Sequence, residues 1–503
     1  MSDRSPRSIS TLTSLTAAMA VATNLLLSPL AVAASWSRFH GDAVNSGFVD
    51  VVTAPAGKGS LSVPGLGTFA PGAGPVIAPD GTVYLGTEQG KLIALQADGS
   101  PVWSRELSKA FGDNLRIVAS PAVGADGSIY VVGVVTFRDH TGGQTVTRHI
   151  SELHKFTPGG DLSWHTRLPE GEFGTGANAS GPPNIWQSSG TEAVMVLASF
   201  GPSATVAVGP NATLTLGRVT RLFAFSTDGV MLTDTVVSRL STKTHAGSLG
   251  AALRFLCFSC VDFHLPPPIP ADPADRLPAD FRLPTPGPAV VEVAGGPPLV
   301  IVSDDFHDVV GYSFFPGRRF IEVFRSHDAA HFMRSSPMLL SSGHTAVGTA
   351  GVGSDDGAII FTEPSTSKIP PVTVKGMGAI LPMPTRLADN RVVVVEPRFG
   401  VDPGTAISVL KRVAVAVPPP MRILSRTVLP GQSIAAAAAS PIHVFVSTAG
   451  EFHTFDAGAM TEVSRFSWVG GGMSPPAIGP AGHIYAIASN TLFIFPPPGG
   501  FKP

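Results

Sequence analysis

One phrase returns along this chain and constrains its fold more than any single residue: a Pro, a few small residues, a Gly turn, a β-rich pair and then an aromatic. It reads Pro75-Val-Ile-Ala-Pro-Asp80-Gly81-Thr-Val-Tyr84, followed by Lys91-Leu-Ile-Ala-Leu95 and Asp98-Gly99-Ser-Pro-Val-Trp103. It returns as Pro121-Ala-Val-Gly-Ala-Asp126-Gly127-Ser-Ile-Tyr130, then Phe156-Thr-Pro-Gly159-Gly160 and Trp164. It closes the chain as Pro476-Ala-Ile-Gly-Pro-Ala481-Gly482-His-Ile-Tyr485, then Leu492-Phe-Ile-Phe495. A supersecondary unit recurring at roughly 40–50 residues marks a repeat architecture. Weaker copies carry Ala193–Ala198 and Arg221–Phe225, Leu299–Val302 and Val309–Tyr312, Ala358–Phe361, Arg391–Val395, and His443–Val446 with Phe452–Phe455. The count of units is eight, with seven as the alternative.

Each unit is a set of short apolar runs broken by Gly, Pro, Asp or Asn, the spacing of antiparallel strands joined by tight turns. The 55 Gly and 47 Pro are too many for helices, and they are interleaved with Val, Ile and Leu runs rather than continuous, which favours turn-dense β structure over disorder. A small sheet has two apolar faces and cannot bury both alone. Stacking the sheets radially buries both faces, and joining first to last in one sheet removes the need for end caps. The expected fold is therefore all-β, one closed ring of eight sheets. An N-terminal strand completes the last one, and Trp36–Val51 is the expected donor. The stretch 239–287 interrupts the repeat and is read as an insertion on one rim.

The formal net charge is −2, only 14 % of residues are charged, and no run of Lys or Arg occurs beyond the N-terminus. That excludes the basic stripe a nucleic-acid surface needs. Arg4 and Arg7 precede an apolar stretch at 12–32, which ends in Ala31-Val-Ala33-Ala34, the pattern of a cleaved export signal. Residues 1–34 are expected to be that signal, with an uncleaved anchor as the alternative, and 35–503 the mature domain. Localisation then follows as exported, periplasmic or extracellular, with the membrane met only through the signal. Cys257 and Cys260 are the two cysteines. A structural disulfide between them is expected in an exported protein; free thiols and a redox dithiol remain the alternatives.

The candidate chemical groups are few. Asp304, Asp305, His307 and Asp308 crowd a strand end, which would suit Ca²⁺ or general-base work, or a solvated turn in which Asp side chains bond backbone amides. His327 and His331 are four apart, useful for zinc only on a helix. Asp355 and Asp356 precede a Gly turn, and His344, His443 and His483 lie beside strands, where packing or surface exposure is the ordinary role. No phosphate loop and no nucleophilic Ser elbow is present. No catalytic residue and no metal ligand set is assigned.

At Leu95-Gln-Ala-Asp98-Gly99-Ser-Pro-Val-Trp103 and at Trp36…Gly41-Asp42…Asn45-Ser46-Gly47 the chain resembles the pyrroloquinoline-quinone-type β-propeller repeat family. The resemblance implies a single propeller and a Trp packed between neighbouring blades. It also implies that most of Trp36, Trp103, Trp164, Trp186 and Trp468 sit at such positions. It carries two functional alternatives: a dehydrogenase using the quinone (PQQ) with Ca²⁺, and a scaffold of outer-membrane protein assembly. The enzymes of that family have adjacent cysteines, a Trp platform and a Glu–Asn–Asp ligand set. Here the cysteines are separated and no such ligand set can be matched, so no cofactor is expected. The expectation is a non-catalytic, monomeric binding scaffold that takes a protein, peptide or saccharide at a rim.

Overall fold

The computed structural model describes residues 36–501, except 246–285 and short stretches in connections, the longest being 202–212, 363–371 and 413–420. Among the described residues every element is a strand, and eight sheets of four or five strands follow one another along the chain, with a two-stranded ribbon beside them. The first blade pairs Val76–Ile77, Val83–Gly86, Lys91–Leu95 and Pro101–Glu106 in that order, all antiparallel. The next six repeat this up-and-down order, with outer strands at Leu162–Arg167, Met231–His245, Arg319–His327, Val372–Gly378, Met421–Pro430 and Glu462–Ser467. The eighth has Ala477–Ile478, Ile484–Ala488 and Thr491–Phe495, and takes its outer strand from Leu61–Val63.

Head and tail therefore join in one blade, but the donor is Leu61–Val63, with Leu61 opposite Ile494 and Val63 opposite Leu492, and not Trp36–Val51. The last unit stops at Phe495 without an outer strand, which is why the N-terminal segment reads as the donor. The strand that pairs is only three residues long and carries no turn or aromatic signature.

The core is not one centre but a layer between each pair of blades. Val131 and Ile150 of the second blade pack with Leu92 and Ala94 of the first. The pattern continues through Val194 and Leu153, Val300 and Met195, Val347 and Ile301, Ile359 and Val394, and Val393 and Val446. The last layer joins Phe445 and Phe452, Ile484 and Phe495, and Val83 and Leu85, closing the ring. Central strands are buried on both faces and read as continuous apolar runs, as in Leu299–Ser303 and His443–Thr448, while outer strands such as Leu162–Arg167 alternate between exposed and half-buried.

The expected Trp packing between neighbouring blades holds for four of the five, and two of them make the same kind of Trp-on-Gly contact. Trp103 lies on Gly160 of the next blade and donates its Nε1–H to the Pro158 carbonyl at 2.8 Å; Trp164 lies on Gly229 and donates to Thr227 at 2.7 Å. Gly160 has φ +85°, and a Cβ there would come 2.6 Å from the Trp103 ring, so the turn needs glycine on both counts. Trp186 packs from an innermost strand of the third blade on Phe314 of the fourth, and Trp468 lies between Phe452 of the seventh blade and Phe493 of the eighth; Trp36 alone lies elsewhere, on the axial segment. At the last junction Val63 takes the tryptophan's place over Gly99.

The outer strand Met231–His245 runs past 239, so the stretch read as an insertion opens on the end of that strand, and its residues 246–285 lie outside the described residues. Cys257 and Cys260, and with them the disulfide, lie outside the described residues, as does the signal segment 1–34.

Candidate functional site

A propeller offers its axis and its two rims for binding, and the axis of this one is filled by its own chain. Residues 36–49 wind round the centre and present backbone carbonyls to the first strand of blade after blade. The Trp36 carbonyl accepts from Ile77 N–H at 2.8 Å, Ser37 from Val123 at 2.7 Å, Ala43 from Val290 at 2.7 Å and Val44 from Leu339 at 3.0 Å. Ser46 accepts from Arg386 at 2.8 Å, and Gly47 from Ala439 at 2.7 Å. The third blade joins through Asn184, whose Nδ2 donates to Ala43. Innermost strands have one free edge facing the axis, and unpaired edge amides must find partners. The axial segment supplies them.

Side chains lock the segment in place. Asn45, with φ +56°, is buried and donates from Nδ2 to the carbonyls of Pro288 and Pro337 at 3.2 and 3.0 Å. Asp42 accepts from the Ser46 N–H at 2.8 Å and from its hydroxyl at 2.6 Å. His40 is buried with Nδ1 3.0 Å from the Asn45 carbonyl and Nε2 2.8 Å from that of Ala437. Gly47 has φ +65°, and a Cβ there would strike the His40 ring. Burial pulls His40 below its ordinary range, against the two carbonyls and Asp42, which favour the charged form. Burial likewise lowers Arg38, opposed by Asp42, Glu192 and Glu292.

At the end where the innermost strands begin, the axis narrows to a cavity of about 30 Å³ floored by Phe39 and ringed by residues of all eight blades, among them Gly72, Ser120, Pro182, Ser336, Met383 and Pro475. That holds one or two waters. The lining has no carboxylate and no tryptophan. A quinone held with Ca²⁺ needs oxygen ligands for the ion, carboxylates foremost. The axial residues do not fit that cofactor, and no chemistry is routed through it.

The rim at this same end is the elaborated one. In the second blade Ile129–Thr141 and Gln144–Phe156 pair along their whole length, from Ile129↔Phe156 to Thr141↔Gln144, whereas the inner strands pair only as far as Val134. In the third blade Thr213–Ser226 and Met231–His245 pair out to Thr213↔His245, beyond the last pairing with the neighbouring strand at Phe200↔Val219. At ~3.3 Å per residue, each two-stranded extension stands on the order of 20 Å beyond its sheet. The two blades are neighbours, and 246–285 leaves from the end of the second extension.

The residues singled out in the sequence are dispersed. Asp304 is buried and accepts from the Asp308 amide at 3.0 Å, the turn role. Asp308 pairs with Arg325 at 2.6 Å and with His327 at 2.6 Å, so the two sequence clusters meet across adjacent strands at Asp308↔His327. An arginine on the carboxylate argues for a structural ion pair rather than a cation site. His327 and His331 fall in strands, Arg319–His327 and His331–Met333, so their spacing is not helical. Asp355 lies outside the described residues, and Asp356 opens the strand Asp356–Thr362. His443 meets Thr53 at 2.9 Å, His344 meets Ser342, and His483 packs on Tyr485 and Phe501.

One group escaped sequence inspection. Glu152, His154 and His165 come together on the second blade. Burial pushes His154 down to about 4, with Glu152 opposing and His165 reinforcing the shift. The signal was present as Glu-x-His on one strand face, but the third member arrives only by register.

Fold and axis together define an eight-bladed, all-β propeller with a self-filled centre. Among solved structures it is similar to the Dos1 propeller, with 11 % identity, a TM-score of 0.50, and 87 % of this chain and 94 % of that one covered. It is also similar to BamB from Moraxella catarrhalis, with 11 % identity, TM-score 0.48, and 88 % and 98 % covered. A europium-containing methanol dehydrogenase gives 11 %, 0.44, 91 % and 89 %. At such identity the likeness speaks to the fold alone. No protein-family model and no curated protein matches the sequence.

Proposed function

We propose that this protein is an exported, non-catalytic β-propeller of the PQQ-like repeat type that binds a protein partner on the rim where its innermost strands begin. One observation carries the reading: residues 36–49 bond to the inner strands of seven blades and fill the axis, and the cavity beside them is lined without a carboxylate that could hold a cofactor's cation. Recognition then falls to the loops of a rigid ring. The same rim bears the paired extensions ending at Thr141↔Gln144 and Thr213↔His245, long platforms with backbone edges suited to an extended chain. A peptide segment or a saccharide would meet the same surface. The near-zero net charge suits association without electrostatic steering.

The test is cross-linking with mass spectrometry on the native envelope fraction. It compares the full chain with a variant in which residues 136–149 are replaced by a two-residue turn. Loss of a specific protein cross-link in the variant, with folding intact, supports the reading. Stoichiometric retention of PQQ and Ca²⁺ by the purified protein overturns it.

A further inference from the structure

We propose that Glu152, His154 and His165 form a binding site for one divalent transition-metal ion of the zinc class, on the flank of the second blade and independent of the rim. Glu152 and His154 are two apart on the strand Gln144–Phe156, so alternation puts both side chains on one face, and register sets His165 directly opposite His154. The Glu152 Oε2 lies 3.2 Å from His165 Nδ1 and 3.7 Å from His154 Nε2, and all three donor atoms lie within 4.8 Å of one another. Donors at ~2.0–2.1 Å from a tetrahedral ion are about 3.4 Å apart. Two of the three spacings are therefore already close to those of a tetrahedral ligand set, and the third is no more than 4.8 Å. The imidazole rings stack 5.4 Å apart, and the His165 ring is the exposed one of the two.

Two imidazoles with one carboxylate select zinc, nickel or copper over calcium and magnesium, which prefer all-oxygen shells. His154 and Glu152 are largely buried while His165 is 49 % exposed, so the pair forms a fixed base and the open side faces water. Three protein donors leave the fourth position to a water molecule or an external ligand.

The seventh blade shows how the same motif looks when its charge is met by protein. Glu451 and His453 repeat the Glu-x-His of the second blade, and the residue opposite His453 is Arg465. Arg465 reaches Glu451 at 3.4 Å and Glu462 at 2.8 Å, while His453 meets Glu462 at 2.7 Å. A guanidinium thus occupies the place that His165 holds in the second blade. The substitution of a permanent cation by a metal-ligating imidazole is what sets the second blade apart. Arg167 stands opposite Glu152 and reaches Glu170 at 3.2 Å on the exposed surface.

The experiment is calorimetric titration of Zn²⁺ into chelator-stripped, untagged full-chain protein at pH 7.5. The expected result is one ion per chain, displacement by Cu²⁺ but not by Ca²⁺ or Mg²⁺, and at least tenfold weaker binding in both His165→Ala and Glu152→Gln. His165 is exposed, so its variant keeps the fold. A double Cys257→Ser/Cys260→Ser variant should bind as the parent does. No binding, binding indifferent to His165→Ala, or binding abolished by the cysteine variant would each overturn the site.

Discussion

Replacing Asn45 by alanine asks how far the axial segment contributes to the cohesion of the ring. Asn45 is buried, holds φ +56°, and donates from one amide to two carbonyls on different blades. Truncation leaves Pro288 with its other donor, Asn184 at 2.8 Å, but takes away the Asn45 bond to Pro337. An orphaned buried acceptor costs about 1–3 kcal/mol. Alanine in the left-handed region, which asparagine tolerates, adds about 1 kcal/mol. The sum is about 2–4 kcal/mol. At ~2.1 cal/mol/K per residue a chain of 503 residues melts with an entropy on the order of 1 kcal/mol/K, so Tm should fall by about 2–4 °C. Asn45→Gly keeps the backbone conformation and loses only the hydrogen bonds, so it should recover roughly 1 °C of that loss. Scanning calorimetry reads both. If neither variant moves Tm by more than about 0.5 °C, the segment is a passenger in the channel and the argument for a sealed axis fails.

The Gly160 turn should accept no side chain: Gly160→Ala sets a Cβ against Trp103 at positive φ and should cost about 2 kcal/mol, with a change in Trp103 emission that Gly99→Ala does not share. Acid should weaken the axis. Burial lowers His40 below its unfolded value of ~6.5, so the unfolded chain takes up the proton first, and stability falls as pH drops through ~6.5 toward the folded value. His40→Gln should flatten that part of the Tm–pH curve, and an unchanged slope would refute the assignment. Cys257→Ser/Cys260→Ser should lower Tm by a few degrees if the pair is oxidised, with thiol titration of the denatured parent finding no free thiol. PQQ with Ca²⁺ should give no bound-cofactor spectrum and no alcohol or sugar oxidation.

Much of the ring was legible in the chain because each blade solves its packing locally. Asp80, Asp98 and Asp126 open their turns by accepting from the amides two residues on, the following glycines take positive φ, and the apolar runs between them are the buried central strands. Those are short-range requirements, and they repeat. The middle blades read weakly because their outer strands lack the Trp–Gly contact, as in Met421–Pro430, while their cores depend only on runs such as Val392–Val395.

What the amino-acid order determined by itself was thus the class of element, the turn chemistry and the need for sheets to stack face to face. The tertiary structure decided which strand closes the ring, where the Gly-rich opening goes, and which histidines meet. Leu61–Val63 pairs with Thr491–Phe495 across more than four hundred residues, and His165 finds His154 only through the register of neighbouring strands. Such partners have no local signal: a backbone edge accepts any extended segment of suitable length, and only the closed ring fixes which one arrives.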